Sequence, residues 1–338
     1  MRRCWPTLAR SSIFQRSSVK PASAVPSFVP DSPVRVRFAS SPTGFLHLGG
    51  VRSVLFNYLL RLRHGGSLIL RIEDTDQQRY VQGAQEDIIR RLEWASIHFD
   101  EGPHIGGNYG PYVQSERLSQ YQTVANELVE DGHAYRCFCS PERLATLRAT
   151  ATGASGVRTS AATYDGKCRH LTPEEIQHNL HVEKKPFTIR LALPSQGSIS
   201  VADAIRGEVT FNFEACEDVV LMKSSGWPTY HLCSTWDDHA MQITHVLRGE
   251  EWLSSTPYHV YLHSLWETDI ETETDIQTGF KKSGKRKAPI FAHLPLLVNE
   301  DGKKLSKRHL SGDSPWSLQQ LVQADQISAP VLVRYLAE

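Results

Sequence analysis

The chain has 338 residues, which is enough for two or three domains with a sizeable core. Basic and acidic side chains number 37 each and 40% of the residues are hydrophobic, a composition typical of an ordinary globular protein. The balanced charge argues against a broad nucleic-acid-binding surface, so any such binding needs a local basic patch. The sequence contains no apolar run long enough to span a membrane.

The first 30 residues differ from the rest of the chain. They carry five basic side chains and no acidic one, and they are rich in Ser, Ala and Pro. This composition is typical of an organelle transit peptide, so we expect import into the mitochondrial matrix; a disordered tail is the alternative. Without residues 1–30, the chain has 32 basic and 37 acidic groups and a net charge of −5.

A glycine-rich segment, SSPTGFLHLGG (40–50), separates a predicted strand from a predicted helix. VRVRFA (34–39) alternates in the manner of a strand, and the apolar residues of 51–62 recur at helical spacing. SLILRI (67–72) predicts a second, buried strand. This is a βαβ unit, in which ligands bind beyond the carboxyl ends of the strands. The helix that opens at the loop favours an anion such as a phosphate, although a purely structural turn is the alternative.

Charged residues lie near the ends of three predicted strands. Arg37 and Glu73 belong to the first two strands, and Arg248 follows the apolar run 243–247. If the strands share one sheet, these side chains converge on one crevice, where two guanidinium groups and a carboxylate suit a zwitterion with an additional acid group. Ordinary salt bridges at strand ends are the alternative.

A basic run, KKLSKR (303–308), follows the turn NEDG. Four cations around one serine can neutralise the charge that develops on a triphosphate during displacement. A solvated basic surface is the alternative for such a run.

Four motifs occur in a fixed order: RFASSPTGFLHLGG, RIEDTD, WPTYHLCSTWDDHAMQITHVLRGEEW and KLSKR. In these motifs the chain resembles class I glutamyl-tRNA synthetases of the bacterial and mitochondrial type, over about residues 34–310. HLGG stands where the class has HIGH, and KLSKR stands where it has KMSKS. The resemblance implies an α/β fold, with a Rossmann-like parallel-sheet catalytic domain and an inserted α+β acceptor-binding domain.

The resemblance also implies domain boundaries. They are a transit peptide (1–30), a split catalytic domain (31–112 and 232–299), an inserted domain (113–231), and a segment with the KMSKS-like loop and the start of a helical stem-contact domain (300–338). The chain ends 30 residues after Arg308. We therefore expect a C-terminally truncated relative without an anticodon-binding domain, which charges tRNA poorly.

The same resemblance assigns roles to individual residues. The implied glutamate-binding residues are Arg37, Ala39, Ser41, Glu73, Tyr230, His231, Leu232, Cys233, Ser234 and Arg248. The implied ATP-binding residues are His47, Gly49, Glu251, Lys304, Leu305, Ser306, Lys307 and Arg308. Glu73 would hold the α-ammonium group, Arg248 would pair with a substrate carboxylate, and Lys307 with His47 would act in catalysis. The implied partners are L-glutamate, ATP with Mg²⁺, and tRNA(Glu). We expect the protein to be a monomer that does not bind a membrane.

A cluster of cysteines resembles the zinc site that some relatives carry in the inserted domain. The expected ligands are Cys137, Cys139 and Cys168, with His170 or Tyr164 as the fourth. Zinc binding and a metal-free domain are equally compatible with the sequence.

Two other functions remain open at this point. One is a stand-alone paralogue that glutamylates a modified tRNA base, which would explain the missing C-terminal domain. The other is a catalytically inactive RNA-binding homologue, against which the presence of Glu73, Arg248 and Lys307 argues.

Overall fold

The structure is a computed structural model that describes residues 33–151, 164–266, 288–297 and 328–337. The predictions on residues 1–30 and 304–308 lie outside the described residues. The helices are α1 (Leu48–His64), α2 (Ala84–Trp94), α3 (Leu118–Glu130), α4 (Pro141–Ala151), α5 (Pro173–Gln177), α6 (Tyr230–Ala240), α7 (Thr256–Leu265) and α8 (Ala329–Ala337). The strands are β1 (Val34–Ser40), β2 (Gly66–Ile72), β3 (Ala134–Cys137), β4 (Thr188–Leu191), β5 (Ser198–Asp203), β6 (Gly207–Asn212), β7 (Val220–Met222), β8 (His245–Gly249) and β9 (Ile290–Leu294).

The first three elements form the predicted βαβ unit. Strands β1 and β2 are parallel, with Val34 opposite Gly66 and Ser40 opposite Ile72. Gly66 has a φ of +112°, and an added Cβ would lie 1.9 Å from the Val34 carbonyl oxygen, so only glycine lets the two strands begin side by side. The loop and the N-terminus of α1 therefore lie at the carboxyl end of β1, as the sequence predicts.

A second set of strands extends this arrangement. Strands β8 and β9 are parallel, β9 pairs with β5 at Asp203 and Phe291, and β5 is antiparallel to β6. The residue before β8, Thr244, is joined to Arg35 of β1 by hydrogen bonds in both directions. The ends of β1, β2 and β8 are thus brought to the same region, which confirms the mixed α/β fold with a parallel-sheet core.

A smaller antiparallel sheet has the order β3-β4-β7 and packs against α3 and α6 around buried residues such as Tyr121, Leu191 and Leu221. The predicted domain boundaries remain predictions. The β5–β6 hairpin, however, falls inside the range assigned to the inserted domain and pairs with β9. No helix in the described part of the chain has both the length and the apolar character needed to cross a bilayer.

Candidate active site

A cavity of about 310 Å³ lies at the carboxyl ends of β1, β2 and β8. Its walls combine charged side chains with the glycine-rich loop and the start of α1. Of the residues predicted for substrate binding, it is lined by Arg37, Ala39, Ser41, His47, Gly49, Glu73, Tyr230, Arg248 and Glu251. Side chains separated by more than 200 residues in the sequence therefore meet in one crevice, as the three strand ends predict.

Arg248 is the most unusual group in this cavity. It is 7% exposed, yet among the described residues its hydrogen-bond acceptors are all neutral. They are His293 Nε2 (3.0 Å), Tyr230 Oη (3.0 Å), His259 Nδ1 (3.0 Å), the Trp252 carbonyl (3.2 Å) and Thr256 Oγ1 (2.9 Å). A buried guanidinium is normally paired with a carboxylate, because an uncompensated buried charge is costly. The site is therefore suited to an anionic group supplied by a ligand.

Glu73 and Arg37 are held by a buried ion-pair network. Arg71, which is fully buried, donates to Glu73 (3.1 Å) and to Asp238 (2.7 Å), and Asp238 also accepts from Arg37 (2.9 Å). Although burial opposes it, Arg37 and Arg71 hold the pKa of Asp238 at about 2. Burial raises the pKa of Glu73 against the opposing charges of Arg71 and Arg37. Glu73 is thus fixed in place, and a nearby ammonium group would stabilise its ionised carboxylate.

A second carboxylate extends the network away from the cavity. Asp237, fully buried beside Asp238 on α6, accepts from Arg117 (2.7 Å), Gln114 (2.8 Å) and Tyr121 (2.9 Å) and lies 3.7 Å from Arg71. Its pKa is raised by burial against these donors. Arg71, Asp237 and Asp238 were not predicted as site residues from the sequence. The only signal for them is their position inside the RIEDTD and WDDH motifs.

Helix α6 contributes less to the cavity than predicted. Tyr230, at its start, lines the cavity, but Leu232 and Cys233 are buried in the core between α6 and the small sheet. Ser234 is also buried, and its hydroxyl accepts from Arg71 at 3.2 Å. Leu232, Cys233 and Ser234 do not line this cavity, because a helix turns successive side chains to different sides, and their role in glutamate binding stays a prediction.

The loop side of the cavity offers an anion site. His47 is the N-cap of α1 and accepts from the Gly50 N–H at 3.2 Å. An added Cβ at Gly49 would lie 3.2 Å from the His47 ring, so glycine keeps this approach open. The N–H groups and dipole at the start of a helix favour a phosphate. Residues 304–308, predicted to bind the other side of the phosphates, lie outside the described residues.

A second cavity, of about 410 Å³, lies on the other side of Tyr230 and Trp252. These two rings pack in a tilted arrangement, with centroids 4.4 Å apart and an interplanar angle of 37°, and line both cavities. His231 lines only this second cavity, together with Arg190 and Tyr164. This pair of rings therefore forms a common wall between the two cavities.

Several buried histidines surround α6 and α7. Burial lowers the pKa of His263 to about 4, and the pKa values of His231 and His245 are lowered to about 4 for the same principal reason. An unfolded histidine binds a proton below about pH 6.5. Between pH 6.5 and 4 the unfolded state thus binds more protons than the folded state. The contribution of these histidines to the free energy of unfolding is therefore complete above pH 6.5 and is lost as the pH falls to 4.

We expect His263→Leu to flatten this pH dependence. Between pH 7.5 and 5, protonation of His263 in the unfolded state should lower the unfolding free energy of the wild-type chain by about 2 kcal/mol. The variant has no titrating group at this position and should lack this decrease. Urea denaturation at a series of pH values measures the difference. His98→Gln, at an exposed position, is the control and should follow the wild-type curve. Parallel curves for His263→Leu and wild type would contradict the prediction.

The cysteine cluster is closely assembled. The Sγ atoms of Cys137, Cys139 and Cys168 all lie within 4.8 Å of one another. The hydroxyl of Tyr164 is 3.2 Å from Cys137 Sγ and 3.8 Å from Cys139 Sγ, whereas His170 is exposed and outside the group. Hydrogen bonds from Cys168 and Tyr164 lower the pKa of the Cys137 thiol. Three thiols and a fourth donor at this spacing fit a tetrahedral zinc ion with bonds of about 2.3 Å, and of the two expected fourth donors it is Tyr164 that lies beside the thiols.

Comparison with known proteins agrees with this geometry. The family of tRNA synthetases class I (E and Q), catalytic domain, matches residues 33–337. Glutamate–tRNA ligase of Clostridioides difficile is 45% identical over 285 residues, which cover 81% of this chain and 53% of that protein. The ligase of Chloroflexus aurantiacus is 48% identical over 283 residues, covering 82% of this chain and 52% of its own length.

The fold has the same relatives among solved structures. A glutamate tRNA ligase from Elizabethkingia meningosepticum, solved in complex with its amino acid, has a TM-score of 0.70 at 43% identity, covering 82% of this chain and 52% of that one. The chain thus spans about half the length of the relatives it matches. Since the family match extends over nearly all of the chain after its first 32 residues, the protein belongs to the class I tRNA synthetases of the glutamate and glutamine type.

Proposed function

We propose that the protein is a glutamate–tRNA ligase, which activates L-glutamate with ATP and transfers it to the 3′ end of tRNA(Glu). The observation that carries this proposal is the buried Arg248, whose described hydrogen-bond partners are all neutral, in the same cavity as the carboxylate of Glu73. Arg248 would take the side-chain carboxylate of glutamate as a charge-assisted, bidentate pair, and Glu73 would take the α-ammonium group. Glutamine leaves the arginine without an anion, so it should be a poor substrate.

The reaction needs no side-chain nucleophile. The α-carboxylate oxygen of glutamate attacks the α-phosphorus of ATP, the bond to the bridging oxygen breaks, and pyrophosphate leaves. A terminal ribose hydroxyl of tRNA then attacks the acyl carbon, loses its proton, and AMP leaves. The protein contributes by positioning: Arg248 and Glu73 orient the amino acid, and His47 with the start of α1 orients the phosphates. Mg²⁺ bound with ATP would supply further charge neutralisation.

Exchange of pyrophosphate into ATP tests the proposal directly. We expect exchange that depends on L-glutamate, with and without tRNA as separate arms, and little exchange with L-glutamine. Charging of tRNA(Glu) at its 3′ end distinguishes a ligase from a paralogue that modifies a tRNA base. Absence of exchange under all conditions, with tRNA still bound, would instead identify an inactive RNA-binding homologue.

Two further parts of the proposal concern the cellular setting. The basic, acid-free composition of residues 1–30 supports import into mitochondria, where the enzyme would serve organellar translation. The second cavity, beside Tyr230 and Trp252, supports entry of the tRNA acceptor end from the side of the inserted domain. We also propose that the protein acts as a monomer.

Lys307→Ala is expected to slow adenylate formation by about a hundredfold and to leave the KM for glutamate nearly unchanged. The lysine would act on charge that develops in the transition state and would not contact the amino acid. Pyrophosphate exchange at varied glutamate concentration measures both the rate and the KM. Lys184→Ala removes an exposed lysine far along the chain from the motif and serves as the control. A raised glutamate KM with an unchanged rate would contradict the assignment.

We further propose that Cys137, Cys139, Cys168 and Tyr164 hold one structural zinc ion. Elemental analysis of the purified protein should give one zinc per chain, and Cys168→Ser should lose it and lower the melting temperature. Cys216→Ser, at a cysteine outside the cluster, should retain both zinc and stability. A zinc-free wild-type preparation with full activity would show that the domain does not need metal.

A further inference from the structure

Behind Arg248 lies a buried chain of polar groups that does not reach the cavity. In the parallel ladder of β8 and β9, His293 stands directly opposite Arg248. Arg248 Nε donates to His293 Nε2 at 3.0 Å, and His293 Nδ1 lies 2.5 Å from Asp203 Oδ2 at the end of β5. His293 and Asp203 are both 0% exposed, and neither lines the cavity.

The hydrogen bonds define the tautomer of His293. A guanidinium group has donors only, so His293 Nε2 must present its lone pair to Arg248. The ring proton is then on Nδ1 and is donated to Asp203. Burial lowers the pKa of His293, which agrees with a neutral ring beside the guanidinium. Asp203 cannot turn freely, because its Oδ1 also accepts from the backbone N–H groups of Ile205 (3.0 Å) and Arg206 (2.8 Å).

This arrangement differs from that of the other arginine in the cavity. Arg37 is paired directly with the carboxylate of Asp238, which compensates its charge. Arg248 is held by a neutral imidazole, and the carboxylate of Asp203 is one residue removed from it. On its other edge, His259 Nδ1 also accepts from Arg248 at 3.0 Å, so a second imidazole is bound in its neutral form. Arg248 is therefore oriented on both edges without being neutralised.

We propose that Asp203 and His293 form a positioning relay that fixes Arg248 for the side-chain carboxylate of the amino acid and keeps its charge available for that carboxylate. The inference rests on the proposed function, because glutamate is the ligand whose carboxylate the relay serves. Asp203 and His293 are positioning residues, since they act through Arg248 and touch no substrate. Neither Asp203 nor His293 lines the part of the cavity that the glycine-rich loop and the start of α1 form.

Asp203→Asn is the most direct variant, because it changes one atom and alters the tautomer. The amide oxygen of the new asparagine should still accept hydrogen bonds from the backbone N–H groups of Ile205 and Arg206. Its NH₂ group would then face His293 Nδ1. His293 would then carry its proton on Nε2, and a donor would face the guanidinium. His293→Leu removes the acceptor, whereas His293→Gln retains an acceptor oxygen close to the position of Nε2.

The experiment measures glutamate and ATP separately in the full chain, by pyrophosphate exchange with tRNA present. Asp203→Asn and His293→Leu should raise the KM for glutamate at least about tenfold and leave the KM for ATP within about twofold. His293→Gln should return the glutamate KM to within about threefold of wild type. His98→Gln, at an exposed histidine, should behave as wild type. A loss of fold would affect both substrates equally, and equal effects or unchanged glutamate KM would overturn the relay.

A second readout is independent of activity. The ¹⁵N resonances of the His293 ring, assigned by their loss in His293→Gln, should show the Nδ1-protonated tautomer in wild type and the Nε2-protonated tautomer in Asp203→Asn. An Nε2-protonated ring in wild type would overturn the inference. Failure of the wild-type chain to exchange pyrophosphate with glutamate, while the ring shows the expected tautomers, would instead refute the proposed function and leave the relay in place.

Discussion

Replacing Arg248 by alanine is expected to weaken the use of L-glutamate by about 30-fold to several-thousand-fold, which corresponds to roughly 2–5 kcal/mol. The variant removes a charge-assisted pair from a site where the guanidinium is 7% exposed, so water cannot replace the lost partner. The glutamate KM in pyrophosphate exchange should rise accordingly, while ATP binding should be nearly intact. Discrimination against glutamine should fall at the same time, because it depends on the same charge.

Arg248→Lys and Arg63→Ala complete this comparison. Lysine keeps the charge but cannot make the five hydrogen bonds that hold the guanidinium, so we expect partial activity with a raised glutamate KM. Arg63 is an exposed arginine near the end of α1, and its removal should change neither substrate. Unchanged glutamate kinetics in Arg248→Ala would remove this residue from the amino-acid site.

The second large effect is expected at Arg71, and it concerns stability. Arg71→Met removes the cation that lies between Glu73, Asp237 and Asp238, of which Asp237 and Asp238 are buried and the Glu73 side chain is 10% exposed. Although burial alone would lower it, these carboxylates raise the pKa of Arg71 well above its ordinary value. Breaking a buried ion pair from one side costs about 3–5 kcal/mol, because the opposite charge is left uncompensated. Urea denaturation at pH 7.5 should show this loss.

Two variants control the experiment. Glu73→Gln combined with Arg71→Met removes the carboxylate whose ion pair in the described structure is with Arg71, and it should recover part of the lost free energy. Arg79→Ala breaks an ion pair with Asp76 in which the arginine is 72% exposed, and it should cost at most about 1 kcal/mol. Equal destabilisation by Arg71→Met and Arg79→Ala would show that the buried network is not held by Arg71.

The sequence was most informative where one local rule was enough. Alternation and helical spacing predicted β1, α1 and β2 in order, and the topology rule then brought Arg37, Glu73 and Arg248 to one crevice. The glycine-rich loop was predicted at the mouth of that crevice for the same reason. These inferences need only the direction of each strand, which short-range patterns determine.

The residues that escaped prediction depend on partners far away in the chain. Arg71 and Asp238 are 167 positions apart in the sequence, and no local pattern pairs them. Asp203 and His293 are 90 positions apart and meet only because β5, β9 and β8 are neighbours. The sequence left the fourth donor beside the three cysteines undecided for a related reason. Tyr164 and His170 both lie close to Cys168 in sequence, and only the folded structure shows that Tyr164 lies beside the thiols.

The buried network has a consequence for which amino acids the cavity can reject by charge. Arg37, Arg71 and Arg117 are matched one for one by Asp238, Glu73 and Asp237, whereas the carboxylate of Asp203 is separated from Arg248 by the His293 ring, so Arg248 has no carboxylate in direct contact among the described residues. The side-chain carboxylate of glutamate can supply this missing direct contact, whereas the neutral amide of glutamine cannot. Aspartate, however, has the same net charge as glutamate. Charge therefore cannot exclude aspartate, and under the proposed function that selection must come from the length of the side chain.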